Sequence, residues 1–271
     1  MSEQFLKRNS AIVKAQVQYG KRLLISVPLT GVVRAEWMLS RYGQAIPTNW
    51  SQVEIIQWMD QYSPLGYLVA DARNSAIDTF IKGDFEWLFF IDHDVIMPYD
   101  TFWKINQWMM KGTVPIVAGL YFTKSVPAEP LLYREYGSGY FMDWTMGDEV
   151  WVAATGLGCN LIHRSILEVI YKDSEEYKMG TQSVRRVFQT PSKTFFDAET
   201  QHWKTEGGTE DIFFFKRLKD ENIYERAGWP KFQKKQWPVL CDTSMFCRHI
   251  TMDGVQYPLN GEELAYAKKG K

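Results

Sequence analysis

A chain of 271 residues, 45% of them hydrophobic, is long enough to bury the core of one elaborate α/β domain. The formal net charge of −1 gives no electrostatic signal for nucleic acid or for an anionic membrane as a partner. Apolar runs are too short for transmembrane helices and the N-terminal residues lack a secretory core, so we expect a cytoplasmic protein. Three cysteines without a close Cys-x-x-Cys pair predict neither a disulfide framework nor a thiolate zinc site.

Short hydrophobic stretches alternate with helix-like stretches over the first half of the chain. In chain order we predict strand 22–28, helix 34–42, strand 53–58, helix 72–81, strand 87–91, helix 100–110 and strand 115–119. This alternation predicts an α/β fold with a mostly parallel central sheet and helices on both of its faces. Residues 1–20 precede the first strand, and we expect them to form an N-terminal arm.

The second half of the chain changes character, and its prolines and glycines predict a smaller antiparallel part. A strand at 150–162 is interrupted by Gly156 and Gly158, which indicates either a bulge or a bound sugar lying against the backbone. Residues 172–208 show little periodicity, so we expect a structureless segment that is either disordered or a functional lid, and we expect acceptor specificity to reside there. Thr209 is a natural N-cap for the helix that follows.

Two aspartates directly follow the buried strand predicted at 87–91. If the extended backbone continues to Asp94, the side chains of Asp92 and Asp94 lie on one face and His93 points away. Two neighbouring carboxylates repel each other and favour a hard divalent cation beside them. The carboxyl ends of the strands are also where open α/β sheets bind ligands. A solvated turn that carries two acids is the alternative.

Arg73 lies at the start of the helix predicted at 72–81, beside the strand that ends at Asp92. A guanidinium at a helix N-terminus suits a pyrophosphate, which takes bidentate hydrogen bonds from arginine. The simpler interpretation is a helix cap at Asp71 and a surface charge at Arg73. Asp60 follows the second predicted strand and could accept a hydrogen bond from a base ring.

Asp211 and His249 are the remaining candidates. Asp211 lies in the first turn of a predicted helix, where an acid interacts well with the helix dipole or accepts a proton from an incoming hydroxyl. His249 ends a strand pair predicted at 239–249. A lone histidine is usually structural, but beside two carboxylates it could supply a nitrogen ligand to Mn²⁺ or Mg²⁺.

The order of these features resembles the GT-A glycosyltransferases, most closely the family 2-type enzymes and their small phage and archaeal relatives. The resemblance spans roughly residues 22–250. The residues that carry it are Pro28, Ala-Arg-Asn at 72–74, Asp-His-Asp at 92–94, Thr-Gly-Leu-Gly at 155–158, Thr-Glu-Asp at 209–211 and His249. It implies one GT-A catalytic domain with a nucleotide-binding half (21–120), an acceptor-binding half (121–250) and a C-terminal tail (251–271).

The resemblance also implies residue roles. Asp94 would be the direct metal ligand, Asp92 would reach the ribose or a metal-bound water, and His249 would complete the metal site. Asp211 matches the catalytic base of inverting members. The implied donor-binding residues are Pro28, Asp60, Arg73, Asp92, Gly156 and Gly158. The family's usual Asp-Asp-x-Ser pattern is absent, and Met-Asp-Gln-Tyr-Ser stands at 59–63 instead, which leaves the residues that recognise the base unassigned.

The implied function is metal-dependent transfer of a sugar from a UDP- or GDP-sugar to an acceptor hydroxyl, such as that of a glycan, with Mn²⁺ or Mg²⁺ as cofactor. Inversion is expected, with Asp211 as general base. Two other classes of function remain open. A metal-dependent nucleotidyltransferase or phosphohydrolase could use Asp92, Asp94 and His249 for phosphoryl attack, and a non-catalytic protein could bind the nucleotide sugar without cleaving it. The identity of the released product separates the three classes.

Overall fold

The structure of the protein is a computed structural model that describes residues 22–47, 59–83, 85–137 and 139–262. Its strands are β1 (Leu23–Ser26), β2 (Met59–Tyr62), β3 (Trp87–Ile91), β4 (Val95–Ile96), β5 (Ile116–Leu120), β6 (Leu132–Tyr133), β7 (Glu149–Val152), β8 (Ala154–Thr155), β9 (Cys159–His163), β10 (Glu176–Met179), β11 (Gln182–Arg185), β12 (Ser192–Asp197), β13 (His202–Gly207), β14 (Val239–Phe246), β15 (Arg248–Ile250) and β16 (Gln256–Tyr257). Its helices are α1 (Ala35–Tyr42), α2 (Val69–Gly83), α3 (Thr101–Lys111), α4 (Arg164–Asp173), α5 (Glu210–Asp220), α6 (Ile223–Arg226) and α7 (Pro230–Lys234).

Some predicted segments lie outside the described residues. These are the N-terminal arm at 1–20, the strand at 53–58 and the end of the C-terminal tail at 263–271. Among the helices that are described, none has the length and apolar character needed to cross a membrane.

Seven strands form the central sheet, in the spatial order β2-β1-β3-β9-β5-β14-β7. β1 runs parallel to β2 and β3, and β5 runs parallel to β14. β9 is antiparallel to both β3 and β5, and β7 is antiparallel to β14. The protein therefore has an α/β fold with a mixed sheet, in which β9 and β7 run opposite to β2, β1, β3, β5 and β14. The prediction of helices on both faces is not tested by these pairings and stays a prediction.

The connection between β5 and β9 explains the mixed sheet. Between these strands the described chain contains the short strands β6, β7 and β8 but no helix. A parallel neighbour needs a crossover that returns the chain to the starting edge of the sheet, usually a helix. Here the chain instead enters β9 at the carboxyl edge, where Cys159 lies opposite Ile91, the last residue of β3. The strand predicted at 150–162 is accordingly divided into β7, β8 and β9.

β3 is the buried strand that the sequence predicts. All five of its residues are buried, because neighbouring strands lie on both sides and packed side chains cover both faces. Burial of each large apolar side chain contributes roughly 1.5–3 kcal/mol, so this strand stabilises the centre of the sheet. Its carboxyl end opens onto the loops that carry most of the candidate site residues.

The prediction that residues 172–208 lack regular structure is wrong, because this segment forms two antiparallel hairpins; its role as a lid or in acceptor selection stays a prediction. β10 pairs with β11, and β12 pairs with β13. Gly180, with φ of +60°, supplies the left-handed conformation needed in the first turn. Many side chains of these hairpins are exposed or only partly buried, so the segment lacks the hydrophobic alternation that identifies a strand in a sequence.

Asn74 attaches the segment between the two hairpins to helix α2. Its Nδ2 donates to the carbonyl oxygen of Phe188 at 2.9 Å, and the Phe188 N–H donates to Asn74 Oδ1 at 2.7 Å. Asn74 Nδ2 also donates to the hydroxyl of Tyr177, within β10 of the first hairpin, at 3.1 Å. Because Asn74 and Phe188 are buried, these bonds hold the hairpin segment on the body of the protein.

We expect Asn74→Ala to lower the free energy of unfolding by about 2–5 kcal/mol, because it leaves two buried backbone groups of Phe188 unsatisfied at about 1–3 kcal/mol each. Urea unfolding measures this loss. Gln182→Ala, at an exposed position of β11, is the control and should change the free energy by less than about 0.5 kcal/mol. Equal effects of the two substitutions would contradict the role given to Asn74.

Candidate functional site

A cavity of about 210 Å³ lies at the carboxyl ends of β1 and β3. The cavity-lining residues are Pro28, Leu29, Thr30, Tyr67, Val69, Asp92, His93 and Asp94. Asp92, His93 and Asp94 all line the cavity, but the extended backbone predicted to place the two aspartates on one face is not present. β3 ends at Ile91, and the Val95 N–H donates to the Asp92 carbonyl at 3.1 Å, so residues 92–95 form a turn rather than extended backbone.

His93 connects this turn to the loop after β1. Its Nδ1 lies 3.1 Å from the carbonyl oxygen of Pro28, and its Nε2 lies 3.3 Å from the Thr30 hydroxyl. Pro28, a predicted donor-binding residue, therefore lies in the wall of the cavity. Thr30 and Tyr67 are lining residues that the sequence analysis missed, because nothing in their sequence context distinguishes them from other loop residues.

Arg73 is buried and not at a helix terminus. Helix α2 begins at Val69, so Arg73 is the fifth helical residue, and its side chain is only 2% exposed. Its Nη2 donates to both carboxylate oxygens of Asp92, at 3.0 and 3.1 Å, and its Nε lies 3.3 Å from Glu210 Oε1. The prediction of Arg73 at a helix N-terminus is wrong, because the helix extends one turn further towards the N-terminus than predicted.

In this buried cluster, burial and the neighbouring charges shift the pKa values in opposite directions. Burial acts to lower the pKa of Arg73, but the charges of Asp92 and Glu210 outweigh it and raise that pKa. Burial raises the pKa of Glu210, although Arg73 acts in the opposite direction. The arginine is therefore held in its charged form between two carboxylates. Its guanidinium also lies 5.3 Å from the ring centroid of Phe90 in β3, in cation–π geometry.

Tyr121, directly after β5, accounts for the two glycines at 156 and 158. The Gly158 N–H donates to the Tyr121 hydroxyl at 2.8 Å. A Cβ atom at Gly156 would lie 1.9 Å from that hydroxyl, and one at Gly158 would lie 2.9 Å from Asp92 Oδ2. Side chains of the protein itself thus come close to both glycines, and a bound sugar against them stays a prediction. The sequence analysis missed Tyr121 because its partners are distant in the chain.

Asp94, Lys124 and His249 meet beside the cavity. Lys124 Nζ donates to Asp94 Oδ2 at 2.6 Å, and His249 Nε2 lies 3.3 Å from the same oxygen. Burial acts to raise the pKa of Asp94, but hydrogen bonds and charges from His249 and Lys124 outweigh it and hold that pKa well below its usual value. The structure brings the predicted ligands Asp94 and His249 together and adds Lys124, which the sequence analysis missed.

The described residues contain no group of three or more His, Cys, Asp or Glu side chains that could hold a metal ion. Arg73 already binds both oxygens of Asp92, so a three-ligand site of Asp92, Asp94 and His249 has no support here. Asp94 and His249 alone still fit a cation that takes its remaining ligands from water and substrate oxygens, as Mg²⁺ commonly does. Asp92 as a metal ligand stays a prediction.

The orientation of His249 supports this two-ligand fit. Its Nδ1 lies 2.8 Å from the carbonyl oxygen of Phe122, which can only accept, so Nδ1 carries the proton. Nε2 is then the ring nitrogen that faces Asp94 Oδ2 and that can bind a metal ion when it carries no proton. Two electron-rich atoms this close favour a positive charge between them, supplied by a proton or a metal ion. A backbone carbonyl that fixes the second ring nitrogen is a common feature of metal-binding histidines.

Asp211 lies in the first turn of α5 and is partly buried. Thr209 occupies the predicted N-cap position, but its hydroxyl makes no capping hydrogen bond and instead donates to Asp211 Oδ1, which also accepts from the Ile212 N–H at 2.7 Å. Burial raises the pKa of Asp211, although these hydrogen bonds act to lower it. A carboxylate with a raised pKa is a stronger base than an ordinary aspartate, as proton abstraction requires.

Asp60, predicted to contact a base, is placed by its backbone only. It lies within β2, opposite Leu24 of β1. Its role in donor binding stays a prediction.

No protein-family model matches the chain, and no curated protein matches it. Its fold is similar to that of a solved structure, A197 from STIV, with a TM-score of 0.51 and 19% sequence identity over 87% of this chain and 90% of that chain. Identity this low shows a shared fold alone. The chain therefore has the mixed α/β architecture of that neighbour over most of its length, and the roles of its site residues are inferred from its own geometry.

We expect Gly156→Ala to lower the free energy of unfolding by about 1–3 kcal/mol, because the new methyl group overlaps the Tyr121 hydroxyl. Gly207→Ala is the control, since its Cβ would meet nothing closer than the Pro191 carbonyl oxygen at 3.5 Å. Chemical denaturation of both variants, of Tyr121→Ala and of the double variant Gly156→Ala/Tyr121→Ala measures the effect. A double variant no more stable than the sum of its single changes would contradict the steric explanation.

Proposed function

We propose that the protein is a metal-dependent glycosyltransferase of the GT-A type, which transfers a sugar from a nucleoside-diphosphate sugar to an acceptor hydroxyl. The observation that carries the proposal is the Asp94–His249 pair, whose facing atoms lie 3.3 Å apart at the carboxyl edge of the sheet. This pair adjoins a cavity that contains Asp92 and lies between the loops that follow β1 and β3. Cavities at this edge are the usual ligand sites of α/β sheets.

The division of roles follows from the contacts. His249 and Asp94 would hold Mn²⁺ or Mg²⁺, which stabilises the negative charge that develops on the leaving nucleoside diphosphate. Phe122 orients the imidazole through its carbonyl oxygen. Arg73 fixes Asp92 from the buried side, so Asp92 keeps its position at the cavity wall and can accept a hydrogen bond from the donor's ribose.

Asp211 would serve as the general base. Support for this role comes from its neighbour Glu210, whose Oε1 lies 3.3 Å from Nε of Arg73, the arginine that also binds Asp92. The Thr209 hydroxyl and the Ile212 N–H both donate to Oδ1 of Asp211. Among the described residues, none donates to Oδ2. Oδ2 is thus the oxygen that can take the acceptor hydroxyl's proton during attack. Attack from the face opposite the leaving group inverts the anomeric configuration.

The proposal predicts metal-dependent release of nucleoside diphosphate from one member of a panel of UDP- and GDP-sugars. Chelation by EDTA should abolish release. Asp94→Ala should slow it by at least about 10³-fold, because metal catalysis supplies several kcal/mol and each 1.4 kcal/mol is a factor of ten. Asp100→Ala is a matched control, since Asp100 is similarly exposed and pairs with Lys104 at 2.9 Å. Release of nucleoside monophosphate would favour a phosphohydrolase, and binding without release would favour a non-catalytic binder.

We expect Asp211→Asn to lower kcat by about 10²–10⁴-fold and to leave UDP affinity unchanged, because the amide cannot accept the proton. In the wild type, the rate should fall as the pH drops through the raised pKa of Asp211, above the value near 4 of an ordinary aspartate. Steady-state rates across pH and calorimetric titration with UDP measure these effects. Loss of UDP binding together with activity would contradict the role of Asp211 as base.

A further inference from the structure

Lys124 forms the shortest contact to the proposed metal ligands. Its ammonium lies 2.6 Å from Asp94 Oδ2, the oxygen that also faces His249 Nε2. Divalent cations bind carboxylate oxygens at about 2.0–2.6 Å, so an ammonium and a metal ion cannot both occupy this position. In the structure, therefore, the side chain of Lys124 fills the place of the cation.

Hydrogen bonds hold the backbone next to Lys124, while its side chain is partly exposed to solvent. Thr123 N–H donates to the Glu129 carbonyl at 2.9 Å, and the Glu129 N–H donates to the Thr123 hydroxyl at 3.0 Å. Phe122, two residues before Lys124, accepts from His249. The side chain of Lys124 is 35% exposed and has a flexible four-carbon stem. Its ammonium can therefore leave Asp94 without any change in the position of His249.

We propose that Lys124 occupies the cation position at Asp94 in the free protein and transfers to the donor diphosphate when the metal and the donor bind together. This role rests on the proposed function. A lysine ammonium binds phosphate as a point charge, so the diphosphate offers a partner equivalent to the carboxylate it leaves. The consequence is that Lys124 opposes metal binding in the absence of donor and supports it in the presence of donor. Metal and donor affinities are thereby coupled, and the coupling is reciprocal.

Titration with Mn²⁺ tests the proposal, with free Mn²⁺ followed by its electron paramagnetic resonance signal, with and without UDP. In the wild type, UDP should tighten Mn²⁺ binding. Lys124→Met should bind Mn²⁺ about tenfold more tightly than the wild type without UDP, and UDP should tighten it far less. Lys124→Arg should behave like the wild type, because it keeps a cation at Asp94.

Lys82→Met is the matched control, because Lys82 also pairs with an aspartate, Asp78, at 2.6 Å but far along α2 from the cavity. It should leave both Mn²⁺ affinities unchanged. Equal Mn²⁺ affinity of Lys124→Met and the wild type without UDP, with Mn²⁺–UDP binding intact, would overturn the role of Lys124 alone. Absence of Mn²⁺ binding by the wild type even with UDP would overturn the proposed function as well. Lys124→Gln, with its thermal midpoint compared with the wild type, provides a second variant should Lys124→Met fold poorly.

Discussion

The buried guanidinium of Arg73 is the constraint on which the site depends. A charge removed from water is costly unless it is paired, and Arg73 is paired with Asp92 and with Glu210. Arg73 belongs to α2, Asp92 to the turn after β3, and Glu210 to the first turn of α5. One side chain therefore fixes the relative positions of the three elements that bear the candidate donor-binding and catalytic residues.

This arrangement separates the roles of the two aspartates of Asp-His-Asp. Asp92 is held from the buried side by Arg73, whereas Asp94 meets Lys124 and His249. The backbone of Asp92 is also held in place, since its N–H donates to the Gly158 carbonyl at 3.0 Å. Residues that the sequence separates by long stretches are thus brought to one edge of the sheet. The proposed transfer chemistry requires this division, with one carboxylate for position and one for a cation.

The sequence predicts the elements that bury a continuous apolar face, such as β1, β3 and α3. The sequence does not predict features that leave no periodic pattern in the local residues. The hairpins at 172–208 are too exposed to show strand periodicity, and the direction of β9 is set by the lack of a crossover helix in the connection that precedes it. Asp94 and His249 were predicted as partners and are brought together, but Lys124 and Tyr121 act through contacts with distant residues, which no local motif reveals.

The most direct test of the account is pulsed electron paramagnetic resonance of Mn²⁺ bound to the wild-type protein together with UDP. If Asp94 and His249 hold the cation, the complex shows ¹⁴N modulation from one imidazole and ³¹P coupling from the diphosphate, and the nitrogen signal is absent from His249→Ala. That result would show that His249 and the diphosphate leaving group bind the same metal ion. Phosphorus coupling without nitrogen modulation in the wild type would contradict it, because the cation would then bind the nucleotide away from His249.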